Sequence, residues 1–247
     1  MVTGSRGYCG LAIVKTLLER GYQVVGFDKS PITEVPHSEN HWEIEGDIID
    51  LSALFRALKG CQAVIHAVIH QPEETHFPTQ ITIPQERSFD LTSTSTYQVN
   101  VTGTFNVLEL SRQCDIHQVI LMSSARVVWD HFVAPDGTLW DTNLIAGTNT
   151  PLNFSDIYGL SKQMQEEIGK AYAQDYDFSV IVFRPWWVVD GITYRNRFGQ
   201  PLSEDTVPLS PTGMVCRYDL SEACHLALQR PDISFDIFYP VAGPDSE

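Results

Sequence analysis

Positive charge is what this chain has least of. Lys and Arg number 16 against 31 Asp and Glu, a formal charge of -15. So acidic a surface does not hold nucleic acid or an anionic membrane by bulk attraction, and an anionic ligand would need dedicated local donors. Long apolar runs are missing too: none approaches the ~20 residues that span a bilayer. The five cysteines have no paired spacing, which excludes a disulfide framework. No His/Cys spacing resembles a metal site, so no metal is expected. No basic, apolar leader precedes the first motif, and a reducing, cytoplasmic setting is the expectation. There is no internal repeat and no low-complexity tract. What is present is 43% hydrophobic and 19% charged. That composition suits one globular domain, alone or with a small lobe.

Short apolar, β-rich runs alternate with helical segments. The runs are Tyr22 to Phe27 (ending in Asp28), Ala63 to Ile69, Gln118 to Met122, Ser179 to Phe183 and Phe235 to Tyr239. Helical patterns cover Leu11 to Arg20, Leu51 to Leu58, Tyr97 to Cys114, Tyr158 to Gln174 and Leu220 to Leu228. Strand followed by helix of crossover length predicts an α/β fold, a doubly wound parallel sheet covered on both faces. Only Met1 and Val2 precede the first glycine motif, so the first strand reads as a stub. Two segments break the alternation. Gln71 to Thr96, rich in Pro, Thr, Glu and Gln, reads either as a lid or substrate loop or as a surface insertion. Asp190 to Pro211 reads as the start of a small substrate lobe.

Thr3-Gly4-Ser5-Arg6-Gly7-Tyr8-Cys9-Gly10 leads straight into an amphipathic helix. Gly4 permits a tight turn, Gly7 lets backbone approach a pyrophosphate, and Gly10 lets helix and strand pack closely. The helix N-terminus offers N–H groups and a positive dipole end to phosphates. Asp28 stands eighteen residues after Gly10, at a strand end. A carboxylate there accepts from both ribose hydroxyls and repels a 2′-phosphate, so NAD is favoured over NADP. Arg6 and Lys29 point the other way, because both could reach such a phosphate. Asp47, with Ile48 beside it, could accept from the adenine amine or cap the helix starting near Leu51. The expected division is a dinucleotide-binding, Rossmann-like domain over 1–189 and a substrate lobe over 190–247, interleaved with the sheet.

These motifs, taken with others in order, resemble the extended short-chain dehydrogenase/reductases, the NAD-dependent epimerase/dehydratase family. Val64-Ile65-His66-Ala67 resembles the strand beside the cofactor, and Asn100 to Leu108 the central helix signature. Met122-Ser123-Ser124 resembles the catalytic serine strand, and Tyr158-Gly159-Leu160-Ser161-Lys162 the Tyr-x-x-x-Lys motif. Arg184-Pro185 resembles the segment meeting the nicotinamide, and Met214 to Ala223, with Asp219, the segment returning to the sheet. The resemblance implies cofactor contacts from the glycine turn, including Tyr8 and Cys9, and from Ala67, Val68, Ile69, Met122, Pro185 and Val188, besides Tyr158 and Lys162. It also implies a homodimer formed through the two helices Tyr97–Cys114 and Tyr158–Gln174, with Cys114 and Met164 near that interface or in the core.

Tyr158 and Lys162 are four apart and share a helix face. An ammonium beside the phenol, with a positive nicotinamide nearby, favours the phenolate and makes Tyr158 an acid/base. Ser124, at a strand end, would hydrogen-bond the substrate oxygen; Ser123 is the competitor. Asn100 would hold a water linking Lys162 to solvent, or satisfy backbone at a helix start. Trp187 and Arg195 are the candidate substrate contacts. Trp186 is read as core packing or as an apolar wall over the nicotinamide. Arg197 and Arg217 are read as anion donors or surface pairs. His66 is read as structural, and His70, His76 and His131 as loop residues.

Four departures weaken the sugar-nucleotide reading: Ala125 in place of Ser or Thr, Arg126-Val127 in place of two carboxylates, Trp187 in place of Asn, and Val68-Ile69 in place of two alanines. The sequence therefore points to an NAD-dependent oxidoreductase acting on a secondary alcohol or carbonyl of a sugar-like or other small molecule. An epimerase holding NAD tightly and a non-catalytic NAD(P)-binding sensor or scaffold are the alternatives.

Overall fold

The computed structural model describes residues 1–31, 36–71, 92–132, 147–154, 156–202 and 214–241. Its main sheet is built from β1 (Val2–Thr3), β2 (Val24–Asp28), β3 (His41–Glu45), β4 (Ala63–His66), β5 (Gln118–Met122), β6 (Ser179–Phe183) and β10 (Phe235–Phe238). All seven run parallel, in the order β10-β6-β5-β4-β1-β2-β3. A second sheet joins β7 (Trp187–Asp190), β8 (Arg195–Asn196) and β9 (Met214–Cys216), in the order β8-β7-β9. The helices are α1 (Tyr8–Glu19), α2 (Leu51–Leu58), α3 (Thr92–Tyr97), α4 (Gly103–Gln113), α5 (Ile157–Asp175) and α6 (Arg217–Leu228).

Side-chain alternation along the central strands sorts the core into two layers. Ile65, Ile120 and Ile181 face α1 and α6, meeting Ile13, Val14, Leu17, Leu220 and Cys224. Their neighbours Val64, Val119, Leu121, Val180 and Val182 face the other way, onto Leu54, Leu58, Val107, Leu108 and Tyr172 of α2, α4 and α5. Strands buried on both faces have no polar side, which is why they are continuous apolar runs in sequence. Each such fully buried side chain contributes about 1.5–3 kcal/mol. After β3 the chain crosses back to place β4 on the far side of β1. That reversal opens a crevice at the carboxyl ends of the strands.

Most strands and helices lie within a few residues of their sequence-predicted bounds. β4 stops at His66 rather than Ile69, because β1, its partner, ends at Thr3. α1 and α6 begin earlier than read, at Tyr8 and Arg217. The predicted helix Tyr97–Cys114 is broken: Gln98–Thr102 is one π-helical turn between α3 and α4. The Asn100 carboxamide accepts from His70 N–H (2.7 Å) and donates to His70 C=O (2.9 Å) and Ser161 Oγ (2.9 Å). Bonding to a distant loop opens the turn, as side-chain insertions into helices do. Strands β7 and β9 are not legible as strands in the sequence. Residues 72–91 of the predicted lid, His76 among them, lie outside the described residues, as do 203–211 of the lobe. Among the described residues no helix is long and apolar enough to cross a membrane.

His66 ties three elements together from a fully buried position. Its Nδ1 lies 2.7 Å from Thr3 Oγ1 and its Nε2 3.1 Å from Thr104 Oγ1. Thr104 donates its own proton to Asn100 C=O, so it accepts from His66, and the proton of the ring sits on Nε2. Burial, aided by the Lys162 charge, holds the imidazole pKa down to about 3. An unfolded chain takes up that proton near pH 6.5, and the folded chain does not. Stability present above about pH 6.5 is therefore lost as pH falls toward 3. The urea midpoint should decline over this window, with a shallower slope in His66→Gln; equal slopes would contradict the assignment.

Candidate active site

A cleft of about 450 Å³ runs across the carboxyl ends of the strands, from the β2–β3 side to the small sheet. Its floor is the glycine turn. Gly4 has φ +70, and a Cβ there would stand 2.9 Å from the Ala67 carbonyl carbon and the Val68 nitrogen. Gly10 does not line the cleft but packs beneath it, where a Cβ would meet the Gly4 carbonyl oxygen at 1.9 Å. No side chain caps the N-terminus of α1 at Gly7, so its first-turn N–H groups are available to an anion. Arg6, Tyr8 and Cys9 line the same end. Burial pushes the Cys9 thiol up to about 11, so it is not a thiolate nucleophile.

Asp28 accepts from Arg6 N–H on Oδ2 (3.0 Å) and from Ser30 N–H on Oδ1 (2.9 Å). A carboxylate so held keeps lone pairs on both oxygens for two further donors. Lys29, Asp47 and Ile48 line the cleft nearby. Asp47 is not the cap of α2: that is Asp50, whose Oδ1 accepts from Ser52 and Ala53 N–H at 3.0 Å. Ala67, Val68 and Ile69 form one wall, and Met122, Pro185 and Val188 border the far half.

There α5 delivers Tyr158 to the cleft. Asp156 caps the helix through Gly159 N–H (2.6 Å). Tyr158 lines the cleft together with Ser124, whose Oγ accepts from Arg126 N–H at 3.1 Å. Ser123 is occupied elsewhere. Its hydroxyl donates to Glu166 Oε1 at 2.5 Å, and Glu166 is held bidentately by Arg184, at 2.8 and 2.6 Å. Lys162 is fully buried behind Tyr158, its Nζ donating to Met122 C=O (2.6 Å) and Gln165 Oε1 (2.8 Å).

Burial pushes Tyr158 up to about 12, against the opposing pull of Ser124 and Arg197. Burial also brings Lys162 down to about 7, against the opposing charge of Glu166. Desolvation is thus the largest influence on the phenol. Asn100 likewise spends both amide hydrogens on His70 and Ser161 and braces the loop after β4, rather than presenting a donor to a water relay.

Of the two expected substrate contacts, Trp187 lines the cleft and Arg195 does not. The Arg195 guanidinium turns to Gly199 C=O. Its neighbour Arg197 faces the cleft instead, bonding Gln71 Oε1 at 2.8 Å. Arg217 is held by Asp190 at 2.6 Å. Sequence reading missed Trp129 and Arg126 in this wall. Both stand on the short turn Ala125–His131 that follows Ser124, and proximity to a strand end was the available signal. Trp186 packs against Trp129 and Phe132, so it serves both the wall and the adjoining core.

Comparison with known proteins gives the family. Residues 1–189 match the model of the NAD dependent epimerase/dehydratase family. The chain belongs to that family. It is 33% identical over 193 residues to a UDP-glucose 4-epimerase of Erwinia amylovora, covering 74% of this chain and 51% of that protein. It is 26% identical over 209 residues to the L-arabinose 1-dehydrogenase (NAD(P)(+)) of Haloferax volcanii, covering 81% of this chain and 70% of the relative. The chain thus spans only part of the length of these relatives, about half of the first. The fold superposes on the Thermus thermophilus UDP-glucose 4-epimerase complex with NAD, with TM-score 0.68, 21% identity and coverage of 98% of this chain and 77% of that one.

The family's cofactor is NAD, and the cleft fits it. The glycine turn leaves no room for side chains where backbone must approach a pyrophosphate, and the uncapped helix end and the Asp28 carboxylate are the donor and acceptor sets a dinucleotide needs. A Gly10→Ala change forces the Gly4 backbone to move. We expect a loss of about 1–3 kcal/mol in urea unfolding together with weakened NAD binding; a variant as stable as the parent would contradict the packing described.

Proposed function

We propose that this chain is an NAD-dependent oxidoreductase that interconverts a secondary alcohol and a carbonyl on a small, sugar-like substrate. The observation that carries the reading is the placement of Tyr158 and Ser124 together in the lining of the cleft, with Lys162 directly behind Tyr158. Bound NAD supplies the two-electron acceptor, and NADH the donor. Ser124 holds the substrate oxygen and orients it toward Tyr158. Tyr158, kept protonated by burial, gives its proton to the oxygen during carbonyl reduction. In the oxidising direction it must first lose that proton, which the positive charge of the oxidised cofactor favours. Lys162 does not itself line the cleft; buried behind Tyr158 and hydrogen-bonded to Met122 C=O, it fixes the strand end against the helix.

Trp129, Trp186 and Trp187 give the substrate end an apolar wall, with Arg126 and Arg197 at its polar edge. Arg126 is held by Asp156, and its guanidinium lies over the Trp129 ring. We assign the segment 190–247 to a substrate-binding lobe built on the small sheet. The likeness to an L-arabinose 1-dehydrogenase supports a free sugar or similar substrate. The likeness to a UDP-glucose 4-epimerase favours a second reading, epimerisation with retained NAD. The two differ in stoichiometry: a dehydrogenase releases NADH, whereas an epimerase needs no added cofactor. We also propose a homodimer through α4 and α5, whose Phe105 and Leu160 are exposed.

Tyr158→Phe should lower turnover by about a hundredfold or more while leaving NAD binding nearly intact. An active Tyr158→Phe enzyme would contradict the mechanism. Because the phenol titrates high, oxidation should accelerate from about pH 7 to about pH 10, and reduction should not. A rate of oxidation that is flat across this range would exclude Tyr158 as the base.

A further inference from the structure

Arg6 and Asp28 make opposite statements about the cofactor, and a third residue settles between them. An arginine at the adenosine end of the cleft is a natural donor to a 2′-phosphate, whereas Asp28 repels one. The Arg6 side chain, however, is only 5% exposed and is tied down on three sides. Its Nε donates to Glu43 Oε2 at 3.1 Å. Its Nη2 donates to the carbonyls of Asp28 (3.3 Å) and Ile44 (3.2 Å) at the ends of β2 and β3. Nη1 alone is buried with no hydrogen-bond partner among the described residues.

Glu43 is itself built into place. It projects from β3, and the residue paired with it on β2 is Gly26, where a Cβ would stand 2.0 Å from Glu43 Oε1. Only a glycine there lets the carboxylate lie back over β2 toward the glycine turn. Besides Arg6, Glu43 accepts from Ser5 Oγ at 3.0 Å and meets His41 Nε2 at 3.0 Å. Three side chains and a bare glycine thus converge on a carboxylate that touches no part of the cleft surface.

The geometry points to Glu43 as a specificity-determining residue for the cofactor. It neutralises Arg6 and anchors it below the ribose site, so that the charge facing the adenosine ribose is that of Asp28. Lys29, exposed at the rim, is the remaining cation at that end among the described residues. The inference rests on the cleft being the cofactor site and not on which reaction occurs there.

The test is calorimetric titration of NAD and NADP into the parent chain, into Glu43→Gln, and into the double variant Arg6→Met with Glu43→Leu. The parent should bind NAD more tightly. Glu43→Gln keeps the shape and removes the neutralising charge, so the preference for NAD should fall by about tenfold or more. Removing both charges leaves the site as neutral as before, so the double variant should keep the parent's preference within about threefold. That second variant carries the test if Glu43→Gln does not fold. An unchanged ratio in a folded Glu43→Gln, or a selective loss of NADP binding in the double variant, would overturn the role of Glu43. Failure of the parent to bind either cofactor would overturn the cofactor site, and this inference with it.

Discussion

The site depends on how closely α5 lies against β5. Gly169 sits where the helix crosses the strand, and a Cβ there would meet Leu121 Cδ1 at 2.6 Å. That close approach brings a buried stripe of α5 within reach of the strand ends. Lys162 can then bond Met122 C=O, and one turn further on Glu166 can bond Ser123. Tyr158, one turn earlier on the same stripe, emerges into the cleft beside Ser124. The helix thus fixes Tyr158, the amine behind it and the serine strand by one packing contact. The bidentate Glu166–Arg184 pair extends the brace to β6, and Arg184 Nη1 carries it on to Tyr239 beyond β10, at 2.7 Å. A buried pair of this kind is weak evidence for stability, because desolvation offsets its attraction. Its visible consequence is positional: it engages the Ser123 hydroxyl, while Ser124 lines the cleft with Tyr158.

A chain of formal charge -15 nonetheless surrounds its cleft with Arg6, Lys29, Arg126 and Arg197. Bulk charge and local charge answer different questions. The first keeps the surface from attracting polyanions, and the second receives a single anionic ligand once it has arrived. Two of these cations are matched by carboxylates, Arg6 by Glu43 and Arg126 by Asp156, while Arg197 meets the neutral Gln71. One paired cation thus stands toward each end of the cleft, Arg6 at one and Arg126 at the other.

The central strands were legible because burial on both faces removes polar alternation from the sequence. The glycine turn was legible because sterics leave no other residue type at Gly4 and Gly10. What escaped depends on contacts distant in sequence. The π turn at Asn100 comes from His70, thirty residues away, and the choice between Ser123 and Ser124 from Glu166. The exchange of Arg195 for Arg197 follows from how a two-residue strand turns within the small sheet, which no periodicity encodes. The acidity of Tyr158 escaped for a similar reason: a four-residue spacing places Lys162 nearby but says nothing about how much water both groups lose.

The most direct test of the site is the alkaline titration of Tyr158, followed by tyrosinate absorbance in the parent chain and in Tyr158→Phe, each with and without NAD. The expected result is one tyrosine, absent from the variant, that titrates near 12 and moves to lower pH when NAD is added. A difference titration near the ordinary tyrosine value of about 10, unmoved by NAD, would contradict both the burial of the phenol behind Ser124 and its place beside the nicotinamide.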